Sequence, residues 1–180
     1  MKQSRRNFIT RGVSTAGLAA GLSTGVEAAT EDQRPFFKLF PIGKVEKEGQ
    51  TVRLRIFAEY AGGLLGLENW SHLQVFYWFD RNDTPEKRAI LQVHPRGNAE
   101  NPVTGVFACR APVRPNLVAL SICKILAVEG DSICVDNLDA LDSTPILDLK
   151  PFIPSDAPSE GLRVPAWAKN PAQRELPKPP

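Results

Sequence analysis

Across residues 36–154 apolar side chains recur at nearly every second position, and glycine, proline or a polar cluster breaks the pattern every few residues. Alternate side chains of a strand face opposite ways, so this period demands short half-buried strands and leaves little room for long helices. Val52, Leu54 and Ile56 alternate with Arg53 and Arg55, which predicts a strand with a charged outer face. Residues 71–79 are aromatic and β-branched, and form the clearest strand. Strands are also expected at residues 89–94, ended by Pro95-Arg-Gly-Asn98, and at residues 105–108. A hairpin joins residues 118–128 to 132–135 through Glu129-Gly-Asp-Ser132, and residues 145–149 close the set. Gly62-Gly63 interrupts the chain before a helical turn or short helix at residues 64–70, and the polar residues 80–88, with Pro85, read as a loop. Six or more such strands imply a mainly β domain, a barrel or a sandwich with minor helix.

The two ends of the chain differ from this middle. Residues 151–180 hold eight of the 16 prolines. Proline offers no donor to a ladder and resists helix, so residues 155–180 are expected to be extended or disordered, with Trp167 as anchor. At the start, Ser4-Arg-Arg-Asn-Phe-Ile9 matches a twin-arginine export motif. Residues 12–26 are uncharged and only mildly apolar, too short for a stable membrane span, and Val26-Glu-Ala28 offers a peptidase site. The expectation is a signal peptide over residues 1–28, carriage by the twin-arginine translocase, and a mature protein in the periplasm or otherwise outside the cytoplasm. The segment removed carries four of the 22 basic residues and one of the 20 acids, leaving 18 − 19 = −1. Such a balance gives no broad attraction to nucleic acid.

The three cysteines, Cys109, Cys123 and Cys134, contain no CxxC pair and do not support a zinc ribbon. If Gly130-Asp131 is a two-residue loop, Cys134 faces Ala127, roughly 13 Å along the strand from Cys123 at about 3.3 Å per residue. That separation forbids a bridge, and free, buried thiols are expected. His72 and His94, expected within strands, lack a third ligand, so no metal is assigned. No Gly-x-Ser-x-Gly elbow, P-loop or Gly-x-Gly-x-x-Gly is present.

Two segments invite a chemical explanation. Arg110 and Arg114 lie in a stretch stiffened by Pro112 and Pro115. A pre-ordered guanidinium suits bidentate recognition of carboxylate or phosphate. In the segment from Asp136 to Pro154, Asp139, Asp142 and Asp148 recur with Lys150 among otherwise apolar residues. Either these aspartates cap turns and pair with the arginines, or the two segments together hold a ligand.

The runs His94-Pro-Arg-Gly-Asn98, Gly105-Val-Phe-Ala-x-Arg110-x-Pro-x-Arg114-Pro-Asn116 and Leu138-Asp-Ala-Leu-Asp142-x-Thr144-Pro-x-Leu-Asp148-x-Lys150-Pro resemble the signature of the TsaA-like (TrmO) family. Pro41-Ile-Gly43, Leu67-Glu68 and Ser71-His-Leu73 fit the same pattern, and the resemblance covers residues 36–155. It implies a single-sheeted β-barrel over residues 36–154, usually a homodimer, with S-adenosylmethionine bound near the subunit interface. It also implies methylation of N6-threonylcarbamoyladenosine in tRNA. Cofactor contacts carried over by motif fall at Asp80, Arg81, Arg110, Leu120, Asp136, Asn137, Leu138 and Asp139. Arginine and aspartates would hold the amino-acid and ribose groups while Leu120 and Leu138 pack the adenine; the catalytic group stays unassigned.

The chain departs from the family in places. A Pro-Arg-Gln cofactor loop is missing after the first strand, where Val45 runs through Glu46-Lys-Glu-Gly-Gln50 into the next. Arg114-Pro-Asn-Leu-Val-Ala119 loses a proline and a glycine, Cys109 replaces a common threonine and Ser143 a common glycine. Two functions follow. The favoured one is a methyltransferase acting on tRNA or on a small-molecule acceptor. The alternative is an exported ligand-binding or accessory domain without the tRNA reaction, consistent with the missing loop and the neutral charge.

Overall fold

The computed structural model describes residues 36–156 and 160–169. Within residues 38–156 a closed six-stranded antiparallel barrel forms, and it settles the choice between barrel and sandwich. Its strands are β1 (Gly43–Glu48), β2 (Thr51–Ile56), β3 (His72–Trp78), β6 (Val118–Glu129), β7 (Ser132–Val135) and β8 (Pro145–Pro151). They are ordered β1-β2-β7-β6-β3-β8, with β8 pairing back to β1 at Gly43↔Ile146. Closure leaves no free edge in this sheet. A small side ribbon pairs β4 (Gln92–Val93) with β5 (Thr104–Gly105).

Alternation places the core. Leu73, Val75 and Tyr77 of β3, Leu54 and Ile56 of β2, and Ile133 and Val135 of β7 are buried in one cluster with Val45, Cys123 and Ile146. The arginines of β2 stay outside, where Arg55 pairs with Glu46 and Asp131, and Arg53 with Glu48. Gly43 sits where β1 approaches β2 so closely that a Cβ would collide with the Arg55 carbonyl. β1 and β2 are joined by Gly49-Gln50 alone, with Gly49 at φ 58°, so no room remains for a longer loop between them.

The hairpin register is the expected one. Glu129 pairs with Ser132 around Gly130-Asp131, and Cys134 faces Ala127. Cys123 pairs instead with Leu73 of β3, and all three thiols are free. Only Cys123 is buried, however; Cys109 and Cys134 are half-exposed. Cys109 follows a 3-10 turn, Val106–Ala108, rather than lying at the end of a strand, and its Sγ contacts the Gly105 carbonyl at 3.6 Å.

Other local expectations are corrected. The strand over 89–94 shrinks to β4, so His94 lies just past it, its Nδ1 2.7 Å from the Asn101 carbonyl. Helical turns begin earlier than expected, at Ala58–Leu64, continue at Leu67–Asn69, and run across Gly62-Gly63. The polar 80–88 stretch is not a plain loop. It holds a 3-10 turn at Asp80–Asn82 and a short helix α1 (Pro85–Arg88), started by Pro85 and by the Lys87 N–H donating to Thr84 Oγ1 at 3.3 Å. In the tail, Ala166–Lys169 forms one helical turn, α2, on which Trp167 is half-buried. The twin-arginine motif, the stretch behind it, the peptidase site and the last prolines lie outside the described residues. Among the described residues no helix is long and apolar enough to cross a membrane.

Candidate functional site

The inward row of β3 ends on Tyr77, and β6 begins opposite it, with Tyr77 paired to Ala119 and Trp78 to Val118. A cavity of about 220 Å³ opens at this end, lined by Tyr77, Phe79, Arg110, Arg114, Val118, Ala119, Leu120, Ser121 and Asp139. The arginine segment and the aspartate segment, far apart in sequence, therefore meet. Tyr77 joins them to the barrel: its Oη donates to the Asp139 carbonyl at 2.7 Å and lies 3.3 Å from Ser121 Oγ. Phe79 stands edge-on to the Tyr77 ring, with centroids 5.7 Å apart.

The arginine loop is fixed at its base. Leu117 is fully buried and its carbonyl accepts from the Phe79 N–H at 2.9 Å. Arg88 donates through Nη1 to the Pro115 carbonyl at 2.8 Å and through Nε to Asp83 at 2.7 Å, and its guanidinium lies 5.3 Å from the centre of the Trp78 ring. Arg88 and Trp78 together hold Asp83 below the usual carboxylate range. Neither Arg110 nor Arg114 has a hydrogen-bond or ion-pair partner among the described residues. The aspartates therefore do not neutralise them by the ion pairs that were one reading of the sequence.

Of the eight carried-over positions, Arg110, Leu120 and Asp139 line the cavity and five do not. Asp80 and Arg81 are exposed on the 3-10 turn after Phe79, and the Arg81 carbonyl accepts from Lys87 Nζ at 2.9 Å. Asp136 serves the strand end, taking the Lys124 N–H at 2.7 Å. Its charge adds to burial in pushing the Cys123 thiol up to about 11, burial being the larger cause. Asn137 is exposed at φ 50°, and Leu138 is buried in the core with its carbonyl on Lys47 Nζ. Asp142 takes the Lys47 N–H at 2.8 Å, which with Ser143 lowers its pKa. Asp148 pairs with Lys150 at 2.7 Å.

The residues missing from the sequence reading are Tyr77, Phe79, Ser121 and Arg88. Tyr77 carried a usable signal, a hydroxyl on the inward row of an apolar strand. Arg88 carried none, because its target is a carbonyl 27 positions away. A second cavity, about 490 Å³, lies between the Ala58–Leu64 turn and β8, walled by Tyr60, Leu64, Leu65, Trp70, Asp148 and Lys150. Its one charge pair is already satisfied internally, so it presents no unmatched charge to a ligand.

Residues 37–157 match the family described as the tRNA-methyltransferase O N-terminal domain. The chain belongs to this family. A probable S-adenosyl-L-methionine-binding protein of Pyrococcus horikoshii is 46% identical over 116 residues, covering 64% of this chain and 82% of that protein. The mouse tRNA (adenine(37)-N6)-methyltransferase is 38% identical over 113 residues, 63% of this chain but 26% of the enzyme. A crystal structure of TrmO superposes with a TM-score of 0.56 at 27% identity, covering 72% of this chain and 64% of that one. The TrmO of Pseudomonas aeruginosa superposes at 0.58 with 24% identity, and the chain covers 64% of it, so this TrmO-family chain spans less than two thirds of the solved structures.

Proposed function

We propose that the cavity between the arginine loop and the 136–142 segment binds S-adenosylmethionine, and that the chain is a methyltransferase with tRNA N6-threonylcarbamoyladenosine as the family substrate. One observation carries the proposal: two guanidiniums with no partner among the described residues share a cavity with a carboxylate, walled by Phe79, Val118 and Leu120. A zwitterionic amino acid joined to an apolar purine matches that mixture of charge and apolar wall. The relatives' names, S-adenosylmethionine-binding proteins and tRNA adenine methyltransferases, point the same way.

Arg110 would take the carboxylate, Asp139 the amino group, and Leu120 with Phe79 the adenine. When bound, the sulfonium supplies a methyl group already activated for displacement by a nucleophile. This chain then has to orient the partners and keep water out, and that alone accounts for large accelerations. The rigid base of the loop, Leu117 bonded to Phe79 and Pro115 bonded to Arg88, provides the orientation.

A homodimer is part of the proposal. The cavity's roughly 220 Å³ is smaller than the ~300 Å³ at which small-molecule sites begin. Leu120, at its rim, starts an outward row on β6 that continues through Ile122, Lys124 and Leu126, and the last three are exposed. A second copy covering that row would complete the wall. Export through the twin-arginine pathway, with the mature chain outside the cytoplasm, is likewise proposed on the motif at Arg5-Arg6. The short Gly49-Gln50 turn favours a second reading, an exported binding domain that does not methylate tRNA, because it leaves no space between β1 and β2 for the cofactor loop.

Calorimetry tests the binding, and transfer of labelled methyl to tRNA tests the reaction. Binding is expected in the wild type and about tenfold or more weaker in Arg110→Ala, the worth of a charge-assisted hydrogen bond. Binding without transfer to tRNA selects the second reading, and no binding at millimolar donor refutes both the site and the methyltransferase.

A further inference from the structure

We infer that Arg114 is a specificity residue that holds an anionic group, carboxylate or phosphate, on the methyl acceptor. The inference rests on the proposed donor site and deepens it. The cavity wall carries two guanidiniums and one carboxylate, a net charge of +1 from Arg110, Arg114 and Asp139. S-adenosylmethionine itself carries an ammonium, a sulfonium and a single carboxylate. Once Arg110 meets that carboxylate and Asp139 the ammonium, the sulfonium and Arg114 are left, both positive, in one small space. A half-buried guanidinium with no counter-charge among the described residues is costly, and two like charges in a partly dry cavity repel. A second anion resolves both, and the methyl acceptor is the reactant that can bring it.

The two arginines differ in ways that suit this division. Arg110 is exposed and follows the extended Cys109, whereas Arg114 is half-buried and adjoins Pro115, whose carbonyl Arg88 clamps at 2.8 Å. Arg88 is in turn held by Asp83 and stacked on Trp78, so the backbone from which Arg114 projects is set before any ligand arrives. A guanidinium carried on so firmly held a backbone favours a planar or tetrahedral oxyanion over a neutral acceptor. Acceptor and donor binding are then coupled, because the anion relieves the repulsion that opposes the sulfonium.

Calorimetry of the full chain with S-adenosylmethionine, with and without acetate or inorganic phosphate, tests this. In the wild type a saturating anion is expected to tighten donor binding about fivefold or more, and the stronger of the two anions identifies the acceptor group. Arg114→Ala removes the repulsion, so it should bind the donor without anion several-fold more tightly than the wild type does and lose the anion effect, and Arg114→Lys should restore part of that effect. The inference is overturned if Arg114→Ala weakens donor binding as much as Arg110→Ala does, or if the anions compete with the donor. If the wild type binds no donor, the site proposal fails separately. Phosphate titrated against the Arg114 side-chain N–H resonance then decides this one: a saturable shift retains the anion site, and no shift removes it.

Discussion

Ser143 occupies a backbone position at φ 64°, held there by its N–H on the Val45 carbonyl and its Oγ on Asp142. A left-handed conformation penalises any Cβ, which explains why glycine is common at this point in the family the sequence resembles. Ser143→Gly is expected to raise stability by about 0.5–1 kcal/mol despite the lost hydroxyl contact, read as a higher urea midpoint. Asp83, Glu86 and Asp142 are all depressed, the first by Arg88, the second by its own backbone N–H and the third by the Lys47 N–H. A depressed carboxylate adds stability above its unfolded value and loses it as the pH falls through the folded one. The urea midpoint should therefore be level down to about pH 4.5 and drop below about pH 4, with the drop shallower in Asp142→Asn. Cys123, pushed up to about 11 and buried, should remain unalkylated at pH 8.5 while Cys109 and Cys134 react, as peptide mass mapping would show.

At the scale of the element, the β1–β2 pair and the arginine loop are the parts whose geometry matters most. Gly43→Ala places a methyl on the Arg55 carbonyl and should cost about 2–3 kcal/mol as the strands are forced apart, a loss visible in thermal melting. Arg88→Ala should weaken donor binding several-fold while touching no ligand, because the Pro115 carbonyl and Asp83 both lose their partner. Arg88→Lys should rescue little, since an ammonium cannot make the same two directed bonds. The strands β2, β3, β6 and β7 could be read directly from the sequence, because alternation and the Gly130-Asp131 turn fix both their faces and their register. Residues 105–108 and 89–94 could not. A four-residue apolar run carries no period able to separate strand from 3-10 turn, and tertiary pairing, not propensity, limits β4 to two residues.

At the scale of the whole molecule, the barrel could be inferred and its site only in outline. The meeting of Arg110 and Arg114 with Asp139 follows from the closure of β3 onto β6, a contact between distant segments that no local spacing encodes. Of the positions carried over by motif, Arg110, Leu120 and Asp139 line the cavity, while Asp136 bonds at a strand end and Leu138 packs in the core. Association belongs to this scale too. On the proposed homodimer, Ile122→Lys with Leu126→Lys should turn a dimer into a monomer in analytical ultracentrifugation and weaken donor binding, since the proposed second wall of the cavity would be lost. The most direct test of the site is a crystal structure of the chain with S-adenosylmethionine. Density between Arg110, Leu120 and Asp139, with the carboxylate on Arg110, is the expected result. Density confined to the Trp70 and Lys150 cavity, or none in either place, would contradict the account.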